Sequence, residues 1–348
     1  MNTSLLKKIG RNKRLYAGAC LLALFAITAI FADFIAPYDP SYQTRNEPLA
    51  PRTTFRHIDN YGAFSLRPFF YREELQAALT YTYQQDQAAV AHLQFFARGD
   101  RYKFLGLFES DLHLFGSSDP ETSVRLLGTD SLGRDQFSRL MMAIRFSLVV
   151  SLLGTLLACA LGVTVGVISG YVGRNLDTVL MGTADAMLSL PTLILILAAR
   201  AAFPLELPAT TAAMLLVLIF ALTGWAEMAR LTRGLVTAMR EREFVLAAKA
   251  TGVTPARILF RHILPNISRP LVTQATLIMA AFLLSEAALS FLGVGLQEPE
   301  ASLGNMLAFA SDVTVLKLRT LEILSPAIAI MLFVLATRLF SDGLKDKR

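Results

Sequence analysis

The chain has 348 residues, 54% hydrophobic and only 17% charged, with a net charge of +6. A soluble domain carries about 25% charged residues, so this composition points to a membrane protein. The basic excess sits beside long apolar runs, the pattern of membrane topology, and this argues against a nucleic-acid partner.

In chain order, Lys7, Lys8, Arg11, Lys13 and Arg14 precede the first apolar run, and Leu15–Ala32 has no charge over 18 residues. That length suits a span, and no clear Ala-x-Ala site closes it, which favours a retained anchor over a cleaved secretory signal. A lipoprotein reading of Tyr16-Ala17-Gly18-Ala19-Cys20 fails because the apolar run follows the cysteine. Cys20 and Cys159 both fall in predicted spans and imply no disulfide framework.

From Pro37 to Arg125 the character changes: the charges are nearly balanced, nine basic residues against eleven acidic. Pro37, Pro40 and Pro51 open it as an irregular linker. Arg72–Ala91 reads as a helix, and His92–Phe108 as a hairpin turning at Gly99-Asp100. The segment is either a passive insertion or a docking surface for an external partner. His57, His92 and His113 lie here without the spacing of a metal site. Arg98-Gly99-Asp100 reads as an ordinary turn rather than an adhesion motif.

Apolar periodicity predicts six spans at about 16–36, 145–170, 178–202, 209–231, 267–292 and 321–341. The N-terminal arm is basic, as are the loop holding Arg230, Arg233, Arg240, Arg242, Lys249, Arg257 and Arg261 and the tail holding Lys345, Lys347 and Arg348. The 203–208 connection has no basic residue. The positive-inside bias therefore predicts both termini in the cytoplasm.

Gly162, Gly166 and Gly170 recur every four residues, on one face of the second span, where ordinary close helix packing is favoured over a gating hinge. Asp185, Glu227 and Glu286 fall within spans, and a charge facing lipid at mid-span costs about 2.5–3.5 kcal/mol. Glu227, near a span end, is expected to pair with Arg230 or Arg233. Asp185 and Glu286 read as helix-to-helix polar contacts, or as part of a polar path or proton site.

No phosphate-cradling glycine loop, catalytic triad or metal cluster is found, so the sequence reads as non-enzymatic and without a cofactor. The segment 246–265 stands apart from the basic loop around it. Ala247, Ala248 and Ala250 favour a small-sided helix beginning near Leu246. Gly252 permits a sharp exit from it, Pro255 opens a further turn, and Leu264-Pro265 leads back toward the membrane. A short helix of this kind suits docking by a partner.

Ala247-Ala248-x-x-x-Gly252 with Leu264-Pro265 resembles the cytoplasmic coupling signature of ABC importer membrane subunits. Leu246 stands where a glutamate is usual, and His262 where isoleucine is usual. The form Arg261-His262-Ile263-Leu264-Pro265-Asn266 is similar to the dipeptide, oligopeptide and nickel branch. So are Leu127-Gly128-Thr129-Asp130-Ser131-Leu132-Gly133-Arg134-Asp135 with Ser138-Arg139-Leu140, and the anchor ending Ala36-Pro37-Tyr38-Asp39-Pro40. The blocks Glu286–Gly295, Ser302–Leu307 and Asp342–Asp346 agree as well.

The resemblance implies an all-α polytopic protein with the type I ABC importer permease fold, six transmembrane helices and a small α+β extracytoplasmic insertion. The expected organisation is an arm and anchor over 1–36, the insertion over 37–126, and a permease core over 127–348 with its coupling loop at 230–266. It further implies ATPase coupling through Leu246, Ala247, Ala248, Gly252, Pro255, Leu264 and Pro265. The implied partners are a homologous second permease subunit, two cytoplasmic ABC ATPases and an extracytoplasmic binding protein, in a bacterial or archaeal inner membrane. Peptides are the branch's commonest cargo, with nickel and sugar oligomers as variants. Two other readings stand beside this one: a proton-coupled secondary transporter using Asp185 and Glu286, and a membrane-anchored sensor or scaffold.

Overall fold

The computed structural model describes residues 13–58, 64–119 and 121–345. The basic arm with Lys7, Lys8 and Arg11, and the tail's Lys347 and Arg348, lie outside the described residues. The chain gathers into two compact units. One takes residues up to Leu24, Val149–Leu289 and Ile330 onward, and the other Phe25–Leu148 and Ser290–Ala329.

Five helical segments are long and apolar enough to cross a membrane: α1 (Lys13–Ile30), α3 (Gln136–Val172), α6 (Ala209–Arg240), Pro255–Phe291, and Glu322–Lys345 within α12 (Thr320–Lys345). The sixth expected span is broken. α4 (Arg174–Leu188) and α5 (Thr192–Ala201) meet at 85°, across Ser189, Leu190 and Pro191. Proline cannot donate to the preceding turn and disfavours helix at Leu190, so the apolar run bends where its composition alone reads as continuous. Two other helices outlast their apolar windows: α6 continues to Arg240, and helix begins at Pro255 ahead of the expected 267.

In the first unit, Gly162, Gly166 and Gly170 of α3 lie against the backbone of α6. A Cβ on Gly162 would meet the Trp225 carbonyl at 2.5 Å, and one on Gly166 the Ala229 carbonyl at 2.5 Å. At Gly170 it would stand 2.8 Å from the Arg233 carbonyl. The three contacts advance four residues at a time on both helices, the geometry of small residues at a close intramembrane crossing. Phe282 stacks on Phe220 at 4.6 Å, and α1 meets α12 closely where Gly343 faces Leu15.

In the second unit, the insertion forms an antiparallel meander: β1 (Arg56–Ile58), β2 (Phe64–Ala77), β3 (Thr82–Phe104) and β4 (Phe108–Ser117). Phe70, Ala91, Phe115 and Val124 form its core. The expected helix over 72–91 is not formed, so the α+β expectation for the insertion gives way to strands alone among the described residues of 37–126. Leu, Ala, Glu and Gln favour helix there, but Tyr81, Thr82 and Tyr83 lie at its centre and suit a pleated surface. Cross-strand pairs such as Leu75 with Tyr83 and Tyr71 with Val90 then override local propensity.

The hairpin turn also moves. β3 continues through Arg98-Gly99-Asp100 with a shift of register against β4 between Arg98 and Tyr102, and the chain turns at Leu105–Leu107. Gly99 instead leaves room for the buried His113 ring, which a Cβ would approach to 2.9 Å. The two ring nitrogens of His113 face the carbonyls of Ala36 and Asp100. This pins the hairpin beside α2 (Ala32–Ile35).

At Gly166 even one methyl group clashes with backbone atoms that no rotamer change relieves. We predict that Gly166→Val destabilises the protein by about 1–3 kcal/mol, the range for overpacking, as a lower melting temperature in detergent.

Candidate functional site

Three clusters hold the residues that the sequence singles out. The first is the segment between α6 and the next long helix. α7 (Glu243–Ala250) buries Val245, while Leu246, Ala247, Ala250 and Gly252 face outward. It ends in a Schellman motif: the Val253 N–H donates to the Ala248 carbonyl at 3.1 Å, and the Gly252 N–H to the Lys249 carbonyl at 3.0 Å. Gly252 takes φ of +79° there. Thr254 precedes α8 (Pro255–Ile258), where Pro255 fills a first-turn position that lacks a helical acceptor anyway.

A π turn over Leu259–Ile263 follows, and α9 (Leu264–Phe291) continues from it. Pro265 accounts for the widened turn. Its ring would press on the carbonyl four residues back, and it offers no N–H to that carbonyl. Asn266 Nδ2 donates to the His262 carbonyl at 2.6 Å, satisfying a backbone group in the loosened turn.

The segment is fixed from beneath. Val236, Val245, Ile258, Ile263 and Ile267 form one buried cluster, with Ala248, Val253, Val167 and Tyr171 packed on it. Lys249 Nζ lies 5.5 Å from the Tyr171 ring centroid, and Arg240 Nη1 donates to the Tyr171 carbonyl at 3.1 Å. Of the sequence-derived residues, Ala248 and Leu264 thus serve the core. Leu246 is 50% exposed, and Phe260, which sequence reasoning passed over, is 73% exposed.

The second cluster is ionic. Arg233 grips Asp177 with two bonds, Nε to Oδ1 at 3.0 Å and Nη2 to Oδ2 at 2.5 Å, and Ser169 donates to the same carboxylate. Arg230 Nη1 stands 3.2 Å from Asp185 Oδ1. Both pairs line one open cavity between α4 and α6. Glu227 pairs with neither arginine and instead accepts from Gln274 Nε2 at 2.8 Å. The expectation failed because Arg230 and Arg233 turn toward α4, where Asp185 and Asp177 take them. Asp185 is half exposed in that cavity, and Glu286 is fully buried in α9, so the two acids occupy different surroundings.

The third cluster lies in the second unit and was legible only as a family block. Arg134 Nε donates to Asp130 Oδ2 at 2.6 Å, and its Nη1 to Glu298. Arg139 Nη2 reaches both Glu298 oxygens at 3.1 and 3.2 Å, and its Nη1 reaches the Pro299 carbonyl at 3.0 Å. Both guanidinium groups are buried, while the Glu298 side chain is 44% exposed. Burial pulls the Arg134 pKa down, but its bond to Glu298 and the charge of Asp130 outweigh this and hold it above the ordinary value. Next to it, Asp135 caps α3 by accepting from the Ser138 N–H at 2.7 Å. Burial raises the Asp135 carboxyl above the usual range against the opposing charge of Arg125 and the Ser138 bonds, and nearby Asp130 adds to the rise. Burial likewise pushes the Tyr38 phenol up to about 12.

Residues 162–347, which carry the first two clusters, match the family model described as binding-protein-dependent transport system inner membrane component. The chain belongs to that family. Residues 5–51 match a second model, the N-terminal TM domain of oligopeptide transport permease C, so β1 to β4 fall between the two matches. A putative peptide permease protein of Brucella suis is 37% identical over 68% of this chain and 76% of its own length. The oligopeptide transport system permease protein OppC of Mycobacterium tuberculosis is 34% identical over 68% of this chain and 79% of its own. For the dipeptide transport system permease protein DppC of Alkalihalophilus pseudofirmus the values are 37%, 63% and 69%. A chain of the inward-facing MetNI methionine ABC transporter aligns over 58% of this chain and 96% of its own, with 18% identity and a TM-score of 0.44. The chain is a multi-pass membrane component of a transport system, and its family's role is transport rather than catalysis.

Two outcomes follow from the third cluster. Glu298→Gln leaves two buried guanidinium groups short of a countercharge. Breaking a fully buried pair costs about 3–5 kcal/mol. The exposure of Glu298 lowers this to roughly 2 kcal/mol, read as a fall in melting temperature. Asp135 has its pKa raised by folding, so its contribution to stability is full below the unfolded aspartate value and is lost as pH rises through the folded one. Asp135→Asn should therefore gain on the wild type in thermal melts as pH is raised from about 4 toward neutrality.

Proposed function

We propose that the chain is the permease subunit of an ATP-driven ABC importer for peptides. It lines the translocation path together with a homologous second subunit and takes its drive from two cytoplasmic ATPases. The observation that carries this reading is the 246–265 segment. Its buried side is locked to the ends of α3 and α6, while its outer side offers Leu246, Ala247, Ala250 and Phe260 around a fixed bend at Gly252. Small and apolar exposed groups on a rigid mount suit a partner's groove, and Leu246 replaces an ionic contact with an apolar one. Motion imposed on α7 reaches α3 through Tyr171 and α6 through Arg240, an arrangement suited to rigid-body switching between two access states.

In this reading the loop 230–266 and both termini are cytoplasmic, and the insertion over 37–126 is extracytoplasmic, toward the substrate-binding protein. Residues 127–348 are the permease core. Gly162, Gly166 and Gly170 keep α3 and α6 moving as one body, and Asp185 with Arg230 belongs to the polar lining of the cavity. The peptide permease names of the relatives support the cargo.

Ala247→Arg and Gly252→Asp should remove the ATPases from the purified complex while leaving the permease in the membrane. Co-purification at wild-type yield would sink the coupling assignment. In proteoliposomes holding the whole assembly, ATP should drive uptake of labelled oligopeptides. Uptake of nickel or sugar oligomers but not of peptides would overturn the cargo.

A further inference from the structure

The turn between β3 and β4 carries apolar side chains that stand exposed among the described residues. Leu105, Leu107 and Phe108 are 52, 75 and 70% exposed, and Phe96 is exposed farther back along β3. A contiguous patch of this kind marks a surface made to be covered. The hairpin bearing it is firmly placed. The Asp39 N–H donates to Asp100 Oδ2 at 3.0 Å, and His113 joins the hairpin to the Ala36 carbonyl. Phe96 meets Phe34 at 6.3 Å between ring centroids, and Phe104 meets Phe31 at 5.6 Å.

These contacts give the hairpin a direction. Residue 100 is tied beside Asp39, beyond the end of α1, whereas residue 104 lies against Phe31, immediately after its last turn. From 100 to 104 the strand thus runs back toward the apolar helix, and the tip follows on from the contact with Phe31; on the turn before it Ile27 and Ile30, like Phe31, are exposed. Exposed Arg101 and Lys103 stand just behind the tip, with Glu109 across from Lys103. Aromatic and basic residues in this order suit the boundary between acyl chains and phosphate headgroups.

We propose that the Phe104–Phe108 tip is seated in the bilayer interface of the leaflet in which α1 ends, as a continuation of the lipid-facing surface of α1. The occupant of the patch is lipid. The insertion is thereby held at two places, by its covalent link to the spans and by its own hydrophobic foot. The proposal needs only α1 as a membrane span and is independent of cargo and ATPase.

The test uses the full chain reconstituted in phosphatidylcholine and phosphatidylglycerol vesicles. Trp225, the one native tryptophan, is replaced by phenylalanine, and a reporter is introduced as Leu107→Trp or, as a milder variant, Phe108→Trp. Gln87→Trp, on the same strand among Glu74, Gln84 and Asp86, serves as the water-facing control. Tip tryptophans should emit to the blue of the control and lose emission when the vesicles contain lipids brominated near the headgroup, while the control keeps its own. Tip emission like the control's, without quenching, overturns the proposal. Blue-shifted emission that bromolipid leaves untouched also overturns it, because the tip is then covered by protein.

Discussion

The backbone contact between α3 and α6 is the constraint on which the first unit depends. Three glycines a turn apart remove every side chain from one stripe of α3, and α6 settles against that stripe at van der Waals distance. The two helices are then indexed to each other residue by residue. Their ends, Tyr171 and Arg240, fall beside one another, and α7 is mounted on the pair they make. Larger residues would hold the helices apart and leave Lys249 and Val245 without their seats.

Charge is handled differently in the two units. Arg230 and Asp185 are both more than half exposed in an open cavity, where their pair can part at modest cost, while Asp177 beside them is held by two bonds from Arg233. Arg134 and Arg139 are withdrawn from water, and their countercharge arrives from a loop more than 150 residues away. The first arrangement suits parts that change partners, and the second suits a fixture.

Much of this was legible in sequence where the governing rule is local. Apolar run length marks the spans, and the glycine spacing marks a helix face. Gly252 and Pro255 mark the break after α7 because left-handed backbone and a missing N–H are properties of single residues. What failed was decided by distant partners. Arg72–Ala91 has helix-favouring composition but finds strands to pair with, and Gly99 is required by a histidine on β4 rather than by a turn. Glu298 shares its loop with Glu300 and Asp312, and nothing near it in the chain announces two buried arginines. The bend after Leu188 was the intermediate case: Pro191 was visible, but the surrounding apolar residues read as one continuous span.

The π turn over Leu259–Ile263 also fixes an angle. Such a turn equals one extra residue in an α-helix, and each residue advances a helix by about 100°. Everything after it is therefore rotated by roughly that much relative to α8. Ile258 faces the cluster beneath α7 on one side of the turn, and Ile263 and Ile267 face the same cluster on the other. Wound as an unbroken α-helix, the same residues would turn those two sets in different directions. Pro265 thus acts as an indexing pin: by forcing the wide turn, it lets one continuous helix present matched faces at both its docking end and its membrane end.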